Sequence, residues 1–197
     1  MADILVVPMM AFALAASISP GPVNLVCLSS GTRYSLPKGL VFATGATLGF
    51  ISLFLAIGLG LYSFLSVFSG FKQLLSWAGI LFLLYLSLRL FLDSGELGTD
   101  EAPEAPSFMT GAAMQWLNPK AWLASVSGIS AYTNSENLIE LVIFASLYMP
   151  ICWLSLGCWV YAGATLRRYT RQPKVIVALN RTLSILIAAS CVFIVMD

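Results

Sequence analysis

Two short stretches of this 197-residue chain hold the residues best placed to do chemistry: Ser19-Pro20-Gly21-Pro22, with Asn24 just beyond, and Asn118-Pro119-Lys120. Each lies inside an apolar run long enough to cross a membrane. A proline within a helix removes one backbone hydrogen bond and clashes with the preceding turn. In hydrocarbon such a break survives only where protein or a wet cavity satisfies the freed groups. A helix that restarts there presents free N–H groups and the positive end of its dipole, a setting that receives a carboxylate. Lys120 adds a full charge, the only one that falls deep in any apolar run. Burying a lysine at mid-span costs roughly 2.5–3.5 kcal/mol, so a cavity and an anionic partner are expected at it. The structural alternative is a lysine that snorkels or bonds carbonyls freed near Pro119. Asn24 and Asn118 each offer a donor and an acceptor, to cap a helix or to touch a ligand. Ser19 can give its hydroxyl to the unwound backbone, and Gly21 lets the main chain approach a partner closely. The expected substrate-contacting set is therefore Ser19, Pro20, Gly21, Pro22, Asn24, Asn118, Pro119 and Lys120.

Other chemistries are absent from the chain. It has no histidine, which removes the commonest general base and zinc ligand together. The cysteines Cys27, Cys152, Cys158 and Cys191 form no CxxC pair and sit in apolar runs, so they read as small buried hydrophobes. No metal or cofactor site is expected, and no nucleophile–base pair suggests an enzyme. No Asp or Glu falls deep in an apolar run, so a strongly cationic substrate would find no counter-charge there. An anionic group, such as the carboxylate of a zwitterion, fits better. Trp116, Trp122, Tyr132, Trp153 and Trp159 could line a pocket, although aromatics near span ends more often anchor at the interface. Arg181 reads as such an anchor.

The elements that must position these residues are transmembrane helices. Hydrophobic residues make up 59% of the chain and charged residues 10%, against about 45–50% and 25% for soluble domains. The mean hydropathy is +0.89. The net charge of +1 and the lack of a basic, aromatic-laced stretch argue against a nucleic-acid partner. Asp3 and the missing basic n-region argue against a cleaved signal peptide. A span needs about 20 apolar residues, and six segments qualify, near 4–30, 39–62, 73–92, 108–132, 138–164 and 175–196. The first and fourth carry the proline breaks, and Pro20 and Pro119 stand 119 − 20 = 99 positions apart. Gly45 and Gly49 form a GxxxG pair suited to close helix approach. The acidic, Pro-containing stretch 93–107 reads as a loop between halves.

The fold expected is an all-α integral membrane protein over 1–197, with repeat 1 at about 1–92 and repeat 2 at about 108–197. Three helices per half is an odd number, so the repeats insert in opposite senses. Lys and Arg gather in the connections after the first, third and fifth spans: Arg33, Lys38, Arg89, Arg167, Arg168, Arg171 and Lys174, against Lys72 opposite. Those connections are expected in the cytoplasm, with both termini periplasmic.

At these motifs the chain resembles the LysE/RhtB family of amino-acid exporters. The carrying residues are Ser19-Pro20-Gly21-Pro22-Val23-Asn24 with Ser30-Gly31, then Lys38-Gly39-Leu40 and Gly45 to Gly49. Gly79, Leu84-Tyr85-Leu86 and Arg89 look like the family's Y-L-G-x-R stretch. The second half supplies Phe108, Gly111, Asn118-Pro119-Lys120-Ala121 and Asn180-Arg181. The resemblance implies six helices in the bacterial inner membrane and export of amino acids or related metabolites driven by an ion gradient. The chain departs from the pattern at Gly49-Phe50, where the family commonly carries an acid, at Ser87 in place of the Y-L-G glycine, and at Pro150 in a fifth span without an acid. These departures point away from cation coupling and basic substrates.

The function expected is export of amino acids or similar solutes, neutral rather than basic, by alternating access between the two breaks. The bilayer is the partner, and a homodimer is allowed but not demanded. The rivals are a passive channel and a non-transporting membrane scaffold.

Overall fold

A computed structural model describes residues 5–61, 67, 70–92, 105–133, 138–169 and 173–196. Among them are eight α-helices: α1 (Val6–Ile18), α2 (Pro22–Arg33), α3 (Leu36–Gly58), α4 (Phe71–Phe91), α5 (Phe108–Trp116), α6 (Pro119–Tyr132), α7 (Leu138–Tyr169) and α8 (Pro173–Met196). The acidic stretch at 93–104 and Arg171 lie outside the described residues. Two helices, Leu36–Gly58 and Leu138–Arg167 within α7, are long and apolar enough to cross a membrane; α1 and α2, bent by 61°, together make a third such element.

The breaks fall where the prolines dictate. A residue before proline is pushed out of the helical region. Ser19 and Gly21 are accordingly extended, and α1 cannot run into α2. Pro22 then takes the first turn of α2, where its missing N–H costs nothing. The second break repeats the device. Asn118 is extended before Pro119, which opens α6. The long α7 carries Pro150 and still runs unbroken.

Helix packing differs between the two ends of the bundle. Toward the end where α2 finishes, main chains meet directly. A Cβ on Gly45 would overlap the Phe108 carbonyl of α5, and one on Gly111 would overlap the Phe42 carbonyl of α3. A Cβ on Gly31 would strike the Val160 carbonyl of α7, and one on Gly163 the Leu28 carbonyl of α2. These seams let helices touch without the usual side-chain spacer. The opposite end is filled by rings. Tyr148 lies 4.6 Å from Phe50, Phe54 lies 5.1 Å from Phe144, and Phe12 lies 5.6 Å from Tyr132, all between centroids. Several of these pairs are edge-to-face, the arrangement that ring quadrupoles favour. Helices α4 and α8 are joined by a buried serine pair: the Ser87 hydroxyl donates to the Ser184 carbonyl at 3.0 Å and the Ser184 hydroxyl to the Ser87 carbonyl at 2.8 Å. Ser87, a departure from the family pattern, thus serves as an inter-helix tie.

Several expectations need correction: Lys38, Arg89, Arg167, Arg168 and Lys174, expected in connections, fall within the end turns of α3, α4, α7 and α8. Arg33 belongs to the last turn of α2, not to a connection, and it is buried beside the Tyr34 ring, 5.4 Å from its centroid. Its charge therefore shares the bundle with Lys120. Cys27 and Cys152 are buried as expected, but Cys158 is exposed on the outside of α7, since an outward helix face is as apolar as the core when it meets lipid.

The seams make a sharp contrast. We expect Gly45→Val to destabilise by about 1–3 kcal/mol, seen as a lower melting temperature in detergent. Gly157→Ala, whose added Cβ meets only the Leu40 side chain at an ordinary 3.8 Å, should leave melting unchanged.

Candidate functional site

The C-terminal end of α1 is the place to begin, because its last carbonyls have no helix to receive them. Every one of them finds a donor. The Ala15 carbonyl accepts from the Ser19 N–H at 3.3 Å, and the Ala16 carbonyl from the Ser19 hydroxyl at 3.2 Å. The Ser17 carbonyl accepts from Asn24 Nδ2 at 2.8 Å, reaching back from α2. The Ile18 carbonyl accepts from Trp159 Nε1 on α7 at 3.1 Å. The Ser19 carbonyl accepts from Lys120 Nζ at 2.8 Å. The same ammonium donates to the Ser19 hydroxyl oxygen at 2.8 Å and faces the Pro20 carbonyl at 3.5 Å. Lys120 therefore bonds carbonyls freed at Pro20, in the other break, not those near Pro119. Its positive charge also lies at the negative end of the α1 dipole.

The second break is built differently. Asn118 Oδ1 accepts from the Lys120 N–H at 3.1 Å and caps α6. The Trp116 carbonyl accepts from Trp122 Nε1 at 2.8 Å. The two restarting helices are thus unequal: α6 has its first N–H groups occupied, whereas no side chain caps α2. The expectation that both ends expose free donors holds only for α2. Val23 and Asn24, whose N–H groups stand in its first turn, line a cavity.

That cavity measures about 40 Å³ and lies between the breaks, room for roughly three waters. Of the eight expected residues, Asn24, Asn118 and Lys120 line it. Gly21 packs against the Lys120 side chain, which would come within 3.2 Å of an added Cβ. Ser19 and Pro20 hold the ammonium through backbone and hydroxyl, while Pro22 and Pro119 set the helix starts and reach neither the ammonium nor the cavity. None of Trp116, Trp122, Tyr132, Trp153 and Trp159 lines the cavity. Trp122 and Trp159 instead tie down freed carbonyls at the breaks. Trp116 and Trp153 donate to Ser52 and Thr44, and Tyr132 belongs to the ring cluster.

Sequence reasoning missed Ser17, Phe50, Gln115, Tyr148 and Cys152, which complete much of the wall. The signal for Ser17 and Gln115 was available: each is a polar residue within one turn of a break. Tyr148 and Cys152 stand one turn apart on α7 and could not be aimed without knowing how that helix is rotated. Among the described residues no Asp or Glu lines the cavity, and no cluster of His, Cys, Asp or Glu could hold a metal ion.

The family described as LysE type translocator matches residues 14–197. A cysteine/O-acetylserine efflux protein of Klebsiella pneumoniae is 27% identical over 203 aligned positions, covering 100% of both chains. Proteins of that name from Shigella flexneri serotype 5b and Salmonella choleraesuis are 27% and 25% identical, over 91% and 85% of this chain and 94% and 89% of their own. No solved structure matches.

The tie between α1 and Trp159 can be tested on its own. We expect Trp159→Phe to strand the Ile18 carbonyl and cost about 1–3 kcal/mol, read as a lower melting temperature. Trp153→Phe removes a donor to the Thr44 hydroxyl, which keeps its own bond to the Leu40 carbonyl, and should have a smaller effect.

Proposed function

The chain belongs to the LysE type translocator family, and from that premise we propose that it exports small neutral amino acids across the bacterial cytoplasmic membrane by alternating access. It is a translocator and not an enzyme, and the bilayer is its setting. The observation that carries the reading is the contact between Lys120 and Ser19, 101 positions apart in the chain, which brings the two breaks to one small polar cavity. Paired broken helices at a common site are a hallmark of secondary transporters.

In this reading the α2 N-terminus and Lys120 receive the substrate carboxylate, while Asn24 and Asn118 orient the remainder. Lys120 passes from the Ser19 oxygens to the carboxylate when substrate enters. The proline and glycine positions Pro20, Gly21, Pro22 and Pro119 shape the breaks. A neutral solute is favoured because no acid among the described residues lines the cavity, and the names of the relatives point the same way.

The domain reading is six spans as two inverted repeats, near 1–92 and 108–197, joined by the loop at 93–107. Packing supports it. If α1, α2, α3 and α4 correspond to α5, α6, α7 and α8, then α3 against α5 is the counterpart of α7 against α1, and α2 against α7 that of α6 against α3. The pairs α3–α7 and α4–α8 map onto themselves. Such reciprocity is what a twofold axis in the membrane plane produces. Both termini would be periplasmic, and a homodimer is compatible with the glycine-bearing helices.

The test is efflux from cells loaded with amino acids through fed dipeptides, at matched membrane abundance. Wild type should release a defined neutral amino acid, and Lys120→Ala should slow that release at least tenfold. Lys120→Arg, which keeps the charge but not the ammonium's compact geometry, should fall between them. Flux that does not saturate would favour a channel, and no release of any amino acid would favour a scaffold.

A further inference from the structure

Gln115 is the cavity amide the exporter reading leaves unused. It stands in the last turn of α5, one turn before the second break, and only 6% of its surface is exposed. A carboxamide buried to that degree almost always hydrogen-bonds to protein. Gln115 does not: its side chain makes no hydrogen bond to any described residue, and it opens onto the cavity. Its neighbours there are already partly engaged. Asn24 uses its NH₂ on the Ser17 carbonyl, and Asn118 uses its oxygen to cap α6. Gln115 alone among the cavity's amides keeps both its donor and its acceptor for whatever enters.

We propose that Gln115 is the residue that selects the substrate's side chain, and that it selects neutral polar groups: hydroxyl, thiol, ester or amide. The inference rests on the exporter reading of the same cavity. The α2 N-terminus and Lys120 account for a carboxylate, and the free oxygen of Asn24 suits an ammonium. What remains for the side chain is a neutral group that both gives and takes. Gln115 Oε1 accepts from an O–H or S–H, and its Nε2 donates to an ester or amide carbonyl. One residue therefore admits donors and pure acceptors alike. An apolar side chain would desolvate the carboxamide without replacing its bonds, and sites built to hydrogen-bond reject such analogues strongly. A cationic side chain would meet no counter-charge, because no Asp or Glu among the described residues lines the wall, and Ser17, Tyr148 and Cys152, its other polar members, carry no carboxylate.

The experiment uses purified protein in liposomes preloaded with L-cysteine, O-acetyl-L-serine, L-leucine or L-lysine. Wild type should release the first two at least tenfold faster than the others. Gln115→Met, of similar shape, should slow the two polar substrates about tenfold and close most of their lead over leucine. Gln115→Glu should raise lysine release. Variants that elute as folded protein and keep the wild-type ratios would overturn the assignment. Should neither variant fold, competition in the wild type decides: L-serine and L-cysteine should block O-acetyl-L-serine release at concentrations where L-alanine does not, and equal blocking by alanine would overturn it. Wild-type protein that releases none of the four would overturn the exporter reading itself, and the selectivity assignment with it.

Discussion

A helix that stops inside an apolar bundle must still place its last carbonyls, and this constraint organises the structure. The five carbonyls from Ala15 to Ser19 draw donors from their own turn, from α2, from α7 and, through Lys120, from α6. No single element could supply them all. Satisfying the end of α1 therefore gathers four helices around one point, and the cavity is the space they leave there. The site is a by-product of completing a hydrogen-bond set, and its polarity comes from the groups that complete it.

The same accounting explains why the two breaks differ. Asn118 caps its own helix and leaves its NH₂ free, whereas Asn24 reaches backward to α1 and leaves its oxygen free. Similar residues at similar places thus present opposite polarity to the cavity. Lys120 joins the two arrangements, since its N–H is held by Asn118 while its ammonium is held by Ser19. A lysine suits this place because three donors on a flexible stem can serve two oxygens and a third, longer contact at once. One residue thus ties the two breaks together, by its backbone at one and by its side chain at the other.

Much of this was legible in the residues themselves. Prolines act on their own backbone, so Pro20, Pro22 and Pro119 announced the breaks and the helix starts without knowledge of the rest. A lysine in an apolar run announces a cavity for the same local reason. The GxxxG glycines gave close approach, though not the partner, which is α5. Long-range partners were not legible. Trp159 lies 141 positions from Ile18, and only the rotation of α7 decides whether its indole meets lipid, pocket or carbonyl. Gln115 is a polar residue one turn before the second break, a signal present in the sequence, but its burial is a matter of packing. Arg33 was misplaced because a loop charge and a buried last-turn charge read alike in sequence.

The uneven packing of the bundle sets unequal room for evolutionary drift. Where Gly31, Gly45, Gly111 and Gly163 bring main chains together, any side chain larger than hydrogen collides with backbone, and backbone cannot be exchanged by a compensating mutation. Where Phe12, Phe54, Tyr132 and Phe144 fill the space, a change in one ring can be answered by a change in another. Substitutions are therefore absorbed more readily at the aromatic end, whose Phe50 and Tyr148 also line the cavity, than at the glycine end.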